Sequence, residues 1–205
     1  MAENVSGLVK GVAKGYFLII LQALKDCGYR VKAKLLDAQW LGVPQARQRL
    51  IFIGVRNDLD REPIFPKPFP YRYSFREAVG DLPLDNGERQ PLTERMKLWW
   101  ELTPRGQSFD VGTMKAESRY SSFTKRRVHW EKPIPTICAN ADAGLKDLYH
   151  PDIPFSLSIP ELKRCASFPD DFVLLGDFSD QWERIGRAVP PLMMKAIAAG
   201  LCTIL

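Results

Sequence analysis

Between residues 11 and 27 the apolar positions Val12, Tyr16, Ile19, Ile20 and Ala23 recur every three or four residues, which predicts a helix with Gly28 as its stop. Residues 29–36 then alternate, with Tyr29, Val31, Ala33 and Leu35 on one side, and predict a strand. Leu50-Ile51-Phe52-Ile53-Gly54-Val55 is an apolar run short enough to be a buried strand. Between the two strands Gly42-Val43-Pro44 makes a turn. Helix, strand, turn, strand reads as the tail of an α/β sheet, and two strands are too few for a stable one. The beginning of the sheet is therefore expected to lie elsewhere. Glu3, near the start, reads on its own as part of a frayed, solvated terminus.

The pattern changes after Pro63, Pro66, Pro68 and Pro70, a stiff extended connector that marks the first domain boundary. Beyond it, residues 73–80 predict a short helix and residues 93–102 a second one, capped by Thr93 and carrying Trp99 and Trp100. Gly106, Gly112 and their polar neighbours read as loop, and residues 133–138 as a short strand. Ser158, Pro160 and Glu161 form a capping-box signature that opens a helix ending near Ser167. Phe168-Pro169-Asp170-Asp171-Phe172 is a turn, and residues 181–186 a short helical segment. After Pro190-Pro191 a last helix presents Leu192, Met193, Ala196, Ile197, Gly200, Leu201 and Ile204 as a broad apolar face.

Composition narrows the classes. The net charge of +5 leans mildly toward nucleic acid. Cys27, Cys138, Cys165 and Cys202 are widely spaced and only two histidines occur, so neither a metal cluster nor a disulfide framework is expected and reduced thiols are the default. The longest apolar stretch, residues 15–24, is bounded by Lys25 and interrupted by Gln22, which predicts no membrane span, and no secretory leader is expected. Two candidate sites remain. Arg47 and Arg49, spaced i and i+2 in Gln45-Ala46-Arg47-Gln48-Arg49, would share one face of an extended chain and suit a planar oxygen-bearing ligand or a phosphate. Lys125, Arg126, Arg127 and Lys132 surround Trp130, a combination that suits phosphates and base faces, although Trp130 could equally anchor a core.

Taken together, these segments resemble the C-terminal part of a DNA cytosine-5 methyltransferase. Glu3-Asn4-Val5 is similar to that family's ENV motif, and Gln45 through Arg49 to its QxRxR motif, followed as it should be by a strand. Glu161-Leu162-Lys163-Arg164 leading to Phe168-Pro169-Asp170-Asp171-Phe172 resembles the penultimate motif. Ile185-Gly186-Arg187-Ala188-Val189-Pro190-Pro191 resembles the last, with Arg187 where Asn is usual. The likeness is least secure over residues 66–130, where the family carries its variable recognition region. The family's Gly-rich cofactor turn and Pro-Cys nucleophile both precede ENV, and none of the four cysteines here follows a proline. Cys138, the nearest in appearance, is expected to be packed.

The resemblance implies an α/β fold: the C-terminal portion of a Rossmann-like methyltransferase sheet (1–62), a small mixed target-recognition domain (63–180) and a C-terminal helix returning to the large domain (181–205). It implies methyl transfer from S-adenosylmethionine to a flipped cytosine in double-stranded DNA, in a cytoplasmic restriction-modification setting. Glu3 would serve cytosine N3, as an acid if burial favours its neutral form. Arg49 would hold O2, and Arg47 would support Glu3 or a phosphate. Asn4, Gly186, Arg187, Ala188 and Val189 would line the cofactor, the guanidinium of Arg187 meeting its carboxylate. Gln45, Lys125, Arg126, Arg127 and Lys132 would face DNA. The chain is expected to be inactive alone, and to need either a separate N-terminal half or self-association through an exposed sheet edge. A non-catalytic DNA-binding module and an inactive remnant are the alternatives.

Overall fold

The computed structural model describes residues 1–9, 11, 13–117, 125–139 and 147–203. Val12 and Ile204, named above for their helices, lie outside the described residues. The N-terminal segment is not frayed. Ala2–Val5 is a strand, β1, and it supplies the third strand that the alternation pattern missed. Four residues are too few to show a period of two, so only pairing reveals it. Helix α1 (Ala13–Asp26) follows and stops at Gly28, whose φ of 83° is the left-handed conformation a helix stop favours. Then come β2 (Tyr29–Asp37), the two-residue β3 (Gln45–Ala46) and β4 (Gln48–Arg56). The sheet order is β1-β4-β2, all antiparallel, with Glu3 opposite Ile51, Val5 opposite Arg49, and Asp37 opposite Gln48.

The apolar run in β4 is continuous because both of its faces are covered. Ile51 and Ile53 face Leu36, Val43, Met193 and Ile197, the last two on the C-terminal helix α7 (Pro191–Cys202). Met193 and Ile197 are fully buried, each worth about 1.5–3 kcal/mol in removed apolar surface. Leu50 and Phe52 face the other way, against Phe17, Leu21 and Leu24 of α1. The stripe that predicted α1 is therefore not the one that packs on the sheet: Tyr16 is 63% and Ile19 65% exposed. Helix α1 is apolar on both sides, and its outward side is open.

The proline-rich connector forms neither helix nor strand over residues 61–69 and is fastened to the sheet layer by Phe65, and by the Phe69 N–H donating to Trp40 O at 2.7 Å. Beyond it lie α2 (Phe75–Val79), α3 (Glu94–Leu102) and α4 (Asp110–Glu117). Three short strands follow, β5 (Arg126–Arg127), β6 (Ile134–Pro135) and β7 (Leu148–Tyr149), and then α5 (Ile159–Cys165) and α6 (Phe178–Arg187). Ser74 and Ser158 close capping boxes with Glu77 and Glu161, and Thr93 caps α3. Helix α4 replaces an expected loop. Its Gly112 is there for close approach, since a Cβ would run into Trp99 O of α3 and Thr103 Oγ1 at that helix's C-cap. A second core gathers Phe75, Ile134, Ile137, Leu157, Leu162, Trp182 and Ile185. The expected boundary at residue 181 thus falls inside α6, which packs with this second core, while α7 packs on the sheet. Phe178–Cys202 is long and apolar enough to cross a membrane by length and composition. It is in fact two helices parted at Pro190, seated on two different cores.

Candidate functional site

The Gly42-Val43-Pro44 turn, with Gly42 at φ 84°, hands the chain from the sheet layer to the second core. There β3 pairs in parallel with β6, Gln45 opposite Ile134, and Pro44 O accepts the Ile134 N–H at 3.0 Å. Gln45 is buried and its Oε1 accepts the Ile137 N–H, so it faces protein rather than the DNA expected of it. Thr136 Oγ1 donates to Ala46 O at 2.6 Å across the same seam.

Arg47 departs from expectation as well. It is 1% exposed and donates Nη1 to Ile137 O at 3.1 Å and Nη2 to Gly186 O at 2.7 Å, rather than reaching Glu3 or an open phosphate site. Its Nε is buried without a hydrogen-bond partner. Burial first, and the neighbouring Arg49 second, depress the guanidinium to about 10. Gly186 is pressed against the facing segment: a Cβ there would lie 2.8 Å from Ala139 N and 2.9 Å from Ala139 Cα. Trp182 Nε1 adds a third tie, donating to Cys138 O at 3.1 Å.

Glu3 and Arg49 do come together. Neighbouring strands hold them in register, and Arg49 Nε meets Glu3 Oε1 at 2.8 Å, with side chains 14% and 31% exposed respectively. The result is a carboxylate and a guanidinium side by side at the edge of the sheet, one face still open.

The expected cofactor residues are occupied otherwise. Asn4 Oδ1 accepts the Val5 N–H, Gly186 O is held by Arg47, Val189 leans on the sheet core, and the exposed Arg187 pairs with Glu183 one turn back. Ala188 N–H closes the end of α6 on Arg184 O and Ile185 O.

Of the expected DNA-facing cations, Arg127 is turned inward. Its guanidinium donates to Pro151 O, Trp100 O and Thr103 O, and stacks 3.8 Å from the Trp100 ring centre. Lys132 is exposed, and Lys125 and Arg126 are half-buried on and beside β5. Trp130 packs on Phe75 at 5.0 Å and donates Nε1 to Asp152, serving as an anchor. Cys138 is exposed rather than packed. Partial burial of its sulfur, then Asp147, push the thiol up to about 11, which favours the protonated thiol at neutral pH. Asp147 Oδ1 is, with Arg47 Nε, a second buried polar atom without a hydrogen-bond partner, and its flanking Lys146 and Leu148 gave the sequence no pattern that marks it. Among the described residues no cluster of metal-ligating side chains occurs.

The family model for the C-5 cytosine-specific DNA methylase matches residues 1–202. The chain is 31% identical to the type II methyltransferase M.MthTI of Methanothermobacter thermautotrophicus, over 97% of this chain and 64% of that one. It is 30% identical to M.NgoFVII of Neisseria gonorrhoeae, over 100% of this chain and 58% of that one. The chain thus spans well over half, but under two thirds, of the length of these relatives. Among solved structures, a putative DNA modification methyltransferase encoded within an Escherichia coli prophage superposes with a TM-score of 0.67 at 20% identity, over 99% of this chain and 68% of that one. A Spodoptera frugiperda DNMT2 variant superposes at 0.62 with 15% identity, covering 98% and 64%. The sheet, the small helical-and-strand region and the returning helix are those of the mixed α/β methyltransferase fold. By sequence and by fold, the chain belongs to the C-5 cytosine-specific DNA methylase family.

Proposed function

We propose that this chain supplies the cytosine-binding and DNA-recognition part of an enzyme that methylates C5 of cytosine in duplex DNA. The observation that carries the reading is the Glu3–Arg49 pair, held at 2.8 Å by the register of β1 and β4. Cytosine presents N3 and O2 side by side, and a carboxyl with a guanidinium beside it matches that edge: Glu3 at N3, Arg49 at O2. Holding both atoms draws electron density from C6 and makes it open to a nucleophile. A base stacked in a duplex cannot reach them, so the cytosine is flipped. Lys125, Arg126 and Lys132 hold phosphates on the recognition side, a role Arg127 and Gln45 leave to them. Arg187 gives up the expected carboxylate contact for Glu183. The nucleophile and the methyl donor's seat fall to the part of the relatives that this chain does not span, and S-adenosylmethionine is the donor the family uses. The setting is cytoplasmic, in company with DNA.

The same reading names where that part docks. Among the described residues strand β1 pairs only with β4 and leaves its other edge open, and the outward side of α1 presents Tyr16, Ile19 and Ile20. A polypeptide that extends the sheet past β1 and covers α1 would use both.

The test is transfer of labelled methyl from S-adenosylmethionine to duplex cytosine by three samples. These are the chain alone, the chain with a polypeptide covering the unspanned part of its relatives, and that pair carrying Glu3→Gln. Activity in the pair alone, falling about 100-fold or more with Glu3→Gln, supports the reading. Activity of the chain alone refutes the division of labour. An inactive but properly assembled pair, with DNA still bound by the chain in a salt-dependent manner, favours a non-catalytic DNA-binding module.

A further inference from the structure

We propose that Arg47 is a positioning residue, a buried clamp through which the strand carrying Arg49, the segment Ile137–Ala139 and the C-terminal end of α6 hold one common arrangement. The inference rests on the base-pocket reading for its functional consequence, though not for its geometry. One guanidinium spans two carbonyls from elements far apart in the chain, Ile137 O and Gly186 O, and sits two residues from Arg49. Every other tie at this point joins the same segments. Thr136 Oγ1 reaches Ala46 O, Gln45 Oε1 receives the Ile137 N–H, Trp182 Nε1 reaches Cys138 O, and Gly186 lies against Ala139 with no room for a Cβ.

This is also where the two cores meet. Ile137, Trp182 and Ile185 belong to one core, and Val189 leans on the other. A fully buried cation is costly unless its donors are filled by well-placed acceptors, and carbonyls fill two positions here while Nε stays empty. An aliphatic side chain would fill the space without that cost. What the guanidinium adds is a planar fork that fixes two carbonyls relative to one another, which a lysine, with donors radiating from a single nitrogen, does not reproduce. A ligand that settles segment 186–189 is therefore felt at Arg49, and a base held at Arg49 is felt at 186–189.

The experiment uses the chain as it stands and follows backbone amide exchange in the wild type and in Arg47→Lys. The clamp predicts exchange about tenfold faster in residues 134–139 and in residues 184–189 together, with β2 and α5 keeping their protection. Faster exchange in one segment alone, in neither, or uniformly across the chain would each overturn the proposal, the last by making Arg47 a generic support of the fold. Thr136→Val is the second variant, informative even if Arg47→Lys fails to fold. It touches only the β3 side, yet the clamp requires it to loosen 184–189 as well, and an unmoved 184–189 sinks the idea. In a catalytically active pair, Arg47→Lys should lower kcat by about tenfold and leave the KM for DNA nearly unchanged, whereas a phosphate contact would act on KM. The exchange result stands whether or not a pair proves active, so failure of the base-pocket reading and failure of the clamp are told apart.

Discussion

Acidification from pH 7 to pH 5 should cost this protein about 2 kcal/mol of stability through one side chain, His150. It is 2% exposed, between the rings of Trp130 at 5.4 Å and Phe75 at 6.2 Å. Its Nδ1 accepts the N–H groups of Asp152 at 3.1 Å and Ile153 at 3.3 Å, which requires that nitrogen to be unprotonated. Glu161 lies 4.0 Å from Nε2 and favours the charged form, while Arg89 and Arg105 oppose it. Burial outweighs them all and lowers the imidazole from 6.5 to about 4. In the unfolded chain the group takes up its proton near 6.5, so between that value and about 4 the unfolded state binds more protons than the native one. The contribution is thus complete above pH 6.5, declines as pH falls through that window, and is flat below it. With those two values, the linkage integral between pH 7 and pH 5 comes to about 2 kcal/mol. Urea unfolding at several pH values, on the wild type and on His150→Asn, isolates the term. Asn keeps an acceptor near the Nδ1 position and does not titrate. The wild type should lose about 2 kcal/mol more than the variant between pH 7 and pH 5. Parallel pH profiles would refute the assignment of a neutral, buried imidazole, and so would a loss centred above pH 7.

Two further substitutions probe packing that the sequence hid. Glu161→Gln keeps the capping box but leaves Arg89, which now donates both Nη atoms to Glu161 at 2.7 Å, as a buried cation without its counter-charge. Unfolding free energy should drop by about 3–5 kcal/mol, and a drop under about 1 kcal/mol would show that water or a neighbour replaces the pair. Gly112→Ala should cost about 2 kcal/mol or more in chemical denaturation despite alanine's better helix propensity, because the new methyl meets Trp99 O and Thr103 Oγ1. A neutral or stabilised variant would mean that α3 and α4 separate easily.

Much of the architecture was legible because local chemistry and tertiary role agreed. Ser158 with Glu161, Thr93 and the stop at Gly28 each act within a few residues of themselves, and each behaves as its local pattern requires. Legibility failed where a partner far along the chain decides. Strand β1 is too short to show alternation, and it exists because Glu3 and Val5 find Ile51 and Arg49. Helix α1 has apolar residues on both sides, and periodicity alone cannot say which side meets the sheet. Gly112 reads as a loop residue until the helix it touches is known.

The arginine pair is the sharpest case, and it bears on the site itself. An i, i+2 spacing puts two side chains on one face only while the chain continues as a single strand, and here the ladder changes partners between them. Gln45 and Ala46 pair with β6, whereas pairing from Gln48 onward is with β2, and Arg49 adds β1 on its other side. Arg47 stands at the change-over, so its side chain enters the seam between the two cores while Arg49 stays on the sheet beside Glu3. Two residues of identical chemistry, separated by one glutamine, thus carry different burdens. Arg49 keeps a partly exposed side chain paired with Glu3, the contact on which the proposed base reading rests. Arg47 is buried, and whatever it contributes to catalysis must pass through the carbonyls it holds.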